Sequence, residues 1–181
     1  MLHSEEDFNV LKTLYSDKER NIQIGRINND KLQIELNRHK HNIKTKNNDT
    51  EFRNYIRNFL DYIEKETIMN FFLVEIKQNG EFSLIKRDLS LMINISCNTA
   101  TKSILPFVSN RIVLSLNNIS CMEKGKAYRF MTRYIKYAKK VNLPIILWTE
   151  IEKNTKYFER YGFVACGNMG DNQEMLMVLN P

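Results

Sequence analysis

A chain of 181 residues with 43% hydrophobic and 10% aromatic residues has room for one ordinary domain with a real core, and its interspersed charges exclude wholesale disorder. The formal charge of +6 and pI near 9.2 favour anionic partners such as a polyphosphate, a nucleic acid or a membrane surface. Cys97, Cys121 and Cys166 are too few and too widely spaced for a disulfide framework or a Cys-x-x-Cys site, and the three histidines lack ligand spacing, so no metal is expected.

Met1-Leu2 is followed by His3, Ser4, Glu5 and Glu6 rather than an apolar signal segment, and no apolar run approaches about 18 residues. A soluble, cytoplasmic protein with no membrane partner is the expectation. The chain reads as a single domain over 1–181, with 1–49 an N-terminal elaboration made of a helix plus a hairpin. Ser4 and Asp7 resemble a capping box, and Phe8, Leu11, Leu14 and Tyr15 repeat at helical spacing, which predicts a helix over 4–16. Ile22, Ile24 and Ile27 face Leu32, Ile34 and Leu36 across Asn28-Asn29-Asp30, a pattern that predicts two strands and a turn. The basic stretch with Arg38, His39, Lys40, His41, Lys44 and Lys46 predicts a solvated loop. No aromatic residues interleave with its charges, which argues against a nucleic-acid partner.

Asp49 or Thr50 caps the next predicted helix, on which Phe52, Tyr55, Ile56, Phe59, Leu60 and Ile63 form one apolar stripe. Residues 70–77 and 82–86 flank Asn79-Gly80, two residues that tolerate positive φ, so a hairpin is predicted there. Leu89 to Ile95 extends that meander, and Pro106 ends any helix within 97–109. Arg111 to Ile119 reads as a buried strand. Tyr128, Met131, Ile135 and Ala138 then mark a helix that stops at Asn142. Pro144 to Thr149 reads as another strand, Lys153 to Tyr161 as a helix ended by Gly162, and 164–166 and 174–179 as the last two strands. The class these elements predict is α/β with a mixed sheet and helices on both faces.

The segment Met122-Glu123-Lys124-Gly125-Lys126-Ala127 joins a buried strand to a helix. A glycine there permits a tight turn and a close backbone approach to a ligand, while the helix start offers N–H groups and a positive dipole end to an anion. Lys124 and Lys126 add positive charge, and the small Ala127 leaves the amides unshielded.

This segment resembles the Gln/Arg-x-x-Gly-x-Gly/Ala loop of the GNAT acyltransferase superfamily, with Gly125 and Ala127 at the small positions and Met122 where the family has glutamine or arginine. Downstream, Lys156-Tyr157-Phe158-Glu159-Arg160-Tyr161-Gly162-Phe163 is similar to the family's final helix and its Gly-Phe exit into the sixth strand. With the Leu-Pro-Ile-Ile-Leu entry to the intervening strand, the likeness covers 111–181.

The resemblance implies a GNAT-like fold with 111–181 as its coenzyme A-binding core, acetyl-CoA or another acyl-CoA as cosubstrate, no metal, and an amine acceptor that is a small molecule or a peptide. A homodimer is compatible with it. It further implies direct transfer through a tetrahedral intermediate, with pantetheine between strands 111–119 and 144–149. Cofactor contacts then fall to Leu116, Asn117, Met122, Glu123, Lys124, Gly125, Lys126, Ala127, Asn154 and Tyr157. A main-chain N–H in the bulged strand end near Leu116 to Asn118 would hold the oxyanion. Asn118 and Tyr157 are the catalytic candidates, although the position where the family commonly has its thiolate-protonating tyrosine holds Phe158. The strand Leu114-Ser115-Leu116-Asn117-Asn118 has no carboxylate, so a silent acyl-CoA-binding or interaction module is the alternative. Glu75, Glu81, Glu150 and Glu152 read as solvated, Cys121 as inert, Asn154 first as a helix cap and only second as a pantetheine contact, and Trp148 and the methionines of 169–177 as core.

Overall fold

The computed structural model of the protein describes residues 5–46, 50–150, 152–169 and 174–181. Three helices come first: α1 (Glu5–Ser16), α2 (Lys18–Lys46) and α3 (Thr50–Met69). Then follow β1 (Phe71–Ile76), β2 (Glu81–Lys86), β3 (Leu91–Thr99) and β4 (Ile112–Cys121), with a single 3-10 turn at Leu105–Phe107 between β3 and β4. The chain closes with α4 (Ala127–Val141), β5 (Ile145–Thr149), α5 (Glu152–Glu159), β6 (Val164–Met169) and β7 (Glu174–Leu179).

All seven strands join one mixed sheet in the order β1-β2-β3-β4-β5-β7-β6, in which β4 and β5 are the parallel pair. Gly80 at φ +79° makes the β1–β2 turn as expected, and the Asn79 side chain accepts the Glu81 N–H at 3.1 Å. Asn142 ends α4 in the left-handed conformation, its N–H reaching back to carbonyls of the last turn.

One face of the sheet carries the main core. Phe59 and Ile63 of α3, Phe130 and Tyr134 of α4 and Phe158 of α5 pack there with Phe71, Phe82, Ile93, Leu114 and Leu147. Edge-to-face ring pairs, Phe59 with Phe82 at 5.8 Å and Phe71 with Phe130 at 5.9 Å, set the depth of that packing. Tyr128, expected on the inner stripe of α4, is exposed instead, and Ala127, Phe130, Met131, Tyr134 and Ala138 form the buried face. The stripe lies around Phe130 and Tyr134, residues that the sparser periodic reading passed over.

On the opposite face, Leu11 of α1 is buried with Phe72, Ile85 and Leu89 at one end of the sheet. At the other end Ala100 and Ile104 cover Val113, Ile146 and Val178. The strip between these two clusters is polar.

The expected hairpin over 22–36 does not form, because 18–46 is a single helix. Its inner face runs Gly25, Asn29, Gln33, Leu36, Lys40, which is helical spacing built mainly from small and polar residues, while Ile24, Ile27 and Ile34 are exposed. A Cβ on Gly25 would stand 2.8 Å from Phe72 Cδ2, so glycine is what lets α2 approach β1 closely. The basic segment expected as a loop continues this helix through Lys46. Lys40 bonds Asp61 at 2.7 Å and Glu64 at 2.6 Å on α3. The capping role given to Ser4 lies outside the described residues.

Candidate functional site

The β4–β5 ladder is short, pairing Leu114 with Ile145, Ser115 with Ile146 and Leu116 with Leu147. Beyond it Trp148 and Thr149 pair with Leu176 and Met175 of β7, whereas β4 runs on to Cys121 beside β3 alone. The two parallel strands therefore cease to pair just where β4 changes register: Leu116 faces Ile95 and Asn118 faces Asn94, leaving Asn117 as the extra residue of a bulge. Asn117 is exposed there, while Leu116 and Asn118 are buried.

The loop after β4 is held at both ends. The Met122 N–H donates to Ser90 O at 3.0 Å, the Tyr128 N–H to Gly125 O at 3.1 Å, and the Lys126 N–H to Glu123 O at 3.4 Å. The Ala127 N–H is directed to the Cys121 sulfur. The N–H groups of Glu123, Lys124 and Gly125 have no partner among the described residues. Gly125 has φ +86°, and a Cβ built there meets nothing within 4 Å, so the bend is open on its outer side. Glu123 and Lys126 form an exposed ion pair at 3.2 Å, and Lys124 is exposed beside them.

Met122 is used differently from the expectation. Its N–H is bonded, and its side chain packs with the α1 cluster of Leu11, Phe72 and Ile85. Methionine in place of glutamine or arginine thus anchors the loop by apolar contact.

On α5, Phe158 is fully buried in the core, whereas Tyr157 is half-buried with its hydroxyl 3.0 Å from that of Tyr161. Burial, and then the hydrogen bond with Tyr161, push the Tyr157 phenol well above its ordinary range, with a smaller electrostatic contribution from Cys121. The neighbouring Tyr161 ring meets that of Tyr128, in the first turn of α4, at 6.3 Å between centroids. Asn154, in the first turn of α5, is buried. Burial raises the Cys121 thiol to about 11, so it is a neutral thiol at physiological pH, as expected.

Sequence reasoning missed the polar face. Cross-strand pairing aligns Glu75, Ser83, Asn94 and Asn118 in one row, and Lys77, Glu81, Ser96 and Ser115 in the next. Glu81, expected as a solvated carboxylate, is 7% exposed. It accepts a hydrogen bond from Asn117 Nδ2 and lies 2.5 Å from Lys77 Nζ. Asn117 Nδ2 also lies 3.3 Å from Ser96 Oγ, and Asn118 Nδ2 donates to Asp7 of α1. The bulge is thus braced by two carboxylates from distant parts of the chain. Alternating Glu-x-Ser and Asn-x-Ser in β2 and β3 was the one available signal. A shallow depression of about 640 Å³ along Glu6, Asn9, Val10, Thr13 and Leu14 belongs to α1 alone and lacks any such convergence.

Among the described residues no group of three or more potential metal ligands occurs, and no helix is long and apolar enough to cross a membrane. The seven-stranded mixed sheet, with β4, loop, α4, β5, α5 and β6 in succession, is the α/β arrangement of mixed sheet and helices that the order of elements predicts. No family model matches the chain, and no curated protein matches it. Solved structures are similar to it. PH1933 from Pyrococcus horikoshii OT3 aligns at 19% identity over 76% of this chain and 81% of that one, with a TM-score of 0.40. The N-acetyltransferase YlbP of Bacillus subtilis, in complex with coenzyme A, aligns at 16% over 67% and 80%, with a TM-score of 0.41. A histone acetyltransferase HPA2 and related acetyltransferase from Corynebacterium glutamicum ATCC 13032 aligns at 15% over 70% and 74%, with a TM-score of 0.38.

Proposed function

We propose that this protein is a cytoplasmic N-acyltransferase that moves an acyl group, in the simplest case acetyl from acetyl-CoA, directly onto an amine. The observation that carries the reading is the end of the β4–β5 ladder beside the Asn117 bulge, next to a loop with three main-chain N–H groups unpartnered among the described residues. Glu123, Lys124 and Gly125 present those groups to the coenzyme's pyrophosphate, with Lys124 and Lys126 adding charge. Pantetheine lies along the unpaired edge of β4, within reach of Leu116, Asn117 and Asn154.

A main-chain N–H of the bulge, at Asn117 or Asn118, polarises the thioester carbonyl and holds the oxyanion of the tetrahedral intermediate. The amine nitrogen forms the new C–N bond, and collapse of the intermediate breaks C–S. Tyr157, whose phenol stays protonated through the neutral range, gives its proton to the departing thiolate. Three free cysteines are in keeping with a reducing compartment.

The absence of a carboxylate from β4 itself favours one rival, a module that binds acyl-CoA without turning it over. Calorimetric titration with acetyl-CoA, followed by thiol release assayed against polyamines, aminoglycosides and peptides, decides between the two. Binding with turnover is the expected result; binding without turnover on any acceptor selects the silent module. Gly125→Glu sets a carboxylate at the phosphate position and should abolish coenzyme binding, and an unchanged affinity would remove the loop from the site.

A further inference from the structure

The outward face of α2 carries a pattern that the single chain does not use. Gly25, Asn29 and Lys40 turn inward, toward Phe72, Leu73 and the carboxylates of α3. On the opposite side Ile24, Ile27, Lys31, Ile34, Arg38 and His41 follow one another at alternating steps of three and four residues, the spacing of a coiled-coil seam. All six are exposed, the isoleucines by 43%, 58% and 64%. One exposed isoleucine is ordinary, but three on one seam form an unpartnered apolar strip. Asp30 and Glu35 flank the seam and are exposed as well. Neither they nor Lys31 and Arg38 make an ion pair among the described residues. A free peptide of this length would first have to become helical, whereas α2 is already held as a helix by β1 and α3, so that cost falls away.

We propose that this seam docks on the same seam of a second copy of the chain, with the two α2 helices antiparallel. The inference is independent of the acyl-transfer reading, and α2 lies outside residues 111–181 that carry the family resemblance. Charge selects both the direction and the occupant. In a parallel pair Lys31 would face Lys31, Arg38 would face Arg38, and Asp30 of one helix would flank Glu35 of the other. Like charges would meet at every one of these positions. In an antiparallel pair whose two-fold axis crosses at the level of Leu32 and Gln33, Lys31 packs on Ile34 of the second copy, Arg38 on its Ile27 and His41 on its Ile24. The aliphatic stems of Lys31 and Arg38 cover isoleucine, and their charged ends reach Glu35 and Asp30 of the second copy, which neighbour those isoleucines along its helix. A foreign acidic helix would match the two cations but oppose Asp30 and Glu35. The second copy matches all four charges.

Sedimentation equilibrium of the full chain across the micromolar range tests this. Wild type should show a reversible monomer–dimer equilibrium. Ile27→Lys combined with Ile34→Lys should weaken the dimer at least tenfold, and it should leave the melting temperature of the dilute, monomeric chain unchanged because both side chains are exposed there. Lys31→Glu should also weaken the dimer, and Lys31→Glu with Glu35→Lys should restore it. Direction is read by oxidation in a Cys166→Ser background, since Cys97 and Cys121 are buried. A mixture of Ile27→Cys and Arg38→Cys chains should form a disulfide that joins one of each. Arg38→Cys alone should not cross-link, because its two copies stand about 16 Å apart along the antiparallel pair. A chain that stays monomeric throughout, a dimer indifferent to the isoleucine substitutions, or ready cross-linking of Arg38→Cys alone overturns the proposal.

Discussion

The Asn29 side-chain oxygen of α2 accepts a 2.7 Å hydrogen bond from the main-chain N–H of Leu73 in β1, so a helix side chain stands in for a missing strand. β1 is an edge strand whose register with β2 shifts between Leu73 and Glu75, and the N–H at that irregularity is buried. Asn29→Leu keeps the volume and removes the acceptor, leaving a buried donor unmatched at a cost of about 1–3 kcal/mol. Urea unfolding should show a correspondingly lower midpoint with an unchanged slope. A midpoint equal to wild type would mean that α2 contributes apolar contact alone to the edge.

That bond also explains which parts of the fold were legible. The stripe of α3 and the Asn79-Gly80 turn state their structure in local apolar spacing and turn chemistry, and both form as read. In α2 the residues facing the sheet are Gly25, Asn29 and Gln33, so the apolar pattern pointed at Ile24, Ile27 and Ile34 on the wrong side. Hydrophobic period marks a buried face only when that face is apolar. The loop with Gly125 was legible because its glycine serves a local bend. Glu81 was not, because its burial and its bond to Asn117 arise from strand pairing across 36 residues, which no local window contains.

Glu66 of α3 is 5% exposed and receives Arg133 of α4 in a bidentate pair, Nε at 2.9 Å and Nη2 at 3.0 Å, with Asn70 Nδ2 also at 3.0 Å. Removing the cation strands a buried carboxylate, whereas removing both charges together does not. Arg133→Met should destabilise by about 2 kcal/mol, at the low end for a buried pair because the guanidinium side chain is over a third exposed. Glu66→Gln with Arg133→Met should recover part of that loss in a double-mutant cycle. Additive losses in thermal unfolding would show that the two side chains do not couple.

Asp88 makes the turn into β3: its Oδ1 accepts the Ser90 N–H at 3.0 Å, and its Oδ2 lies 2.6 Å from Lys86 Nζ. Burial opposes ionisation, but hydrogen bonds from Lys86 and Ser90, with the Lys86 charge, outweigh it and bring the carboxyl down to about 2. A folded-state value below the unfolded one, near 3.9, means that the unfolded chain takes up the proton first as pH falls. The stabilisation is therefore complete above about pH 4 and is lost between about pH 4 and pH 2. Asp88→Asn should lower stability at neutral pH and flatten this acid limb. Identical wild-type and variant pH profiles between 5 and 2 would contradict the assignment.

The Tyr157 hydroxyl, 3.0 Å from the Tyr161 hydroxyl, separates a proton-donating role from a packing one. Tyr157→Phe keeps the ring that meets Phe158 edge-to-face at 5.2 Å and removes the hydroxyl alone, so folding should be little affected. If the phenol protonates the leaving thiolate, kcat should fall by about 100-fold, the low end for a positioned acid, with coenzyme affinity preserved. The loss should be smaller for acyl donors whose thiol leaves more readily, because such a thiolate needs less help. Tyr161→Phe removes only the neighbour of the donor and should cost much less. Wild-type kcat in Tyr157→Phe, or an equal loss for good and poor leaving groups, would take Tyr157 out of the chemistry and return it to the packing of α5.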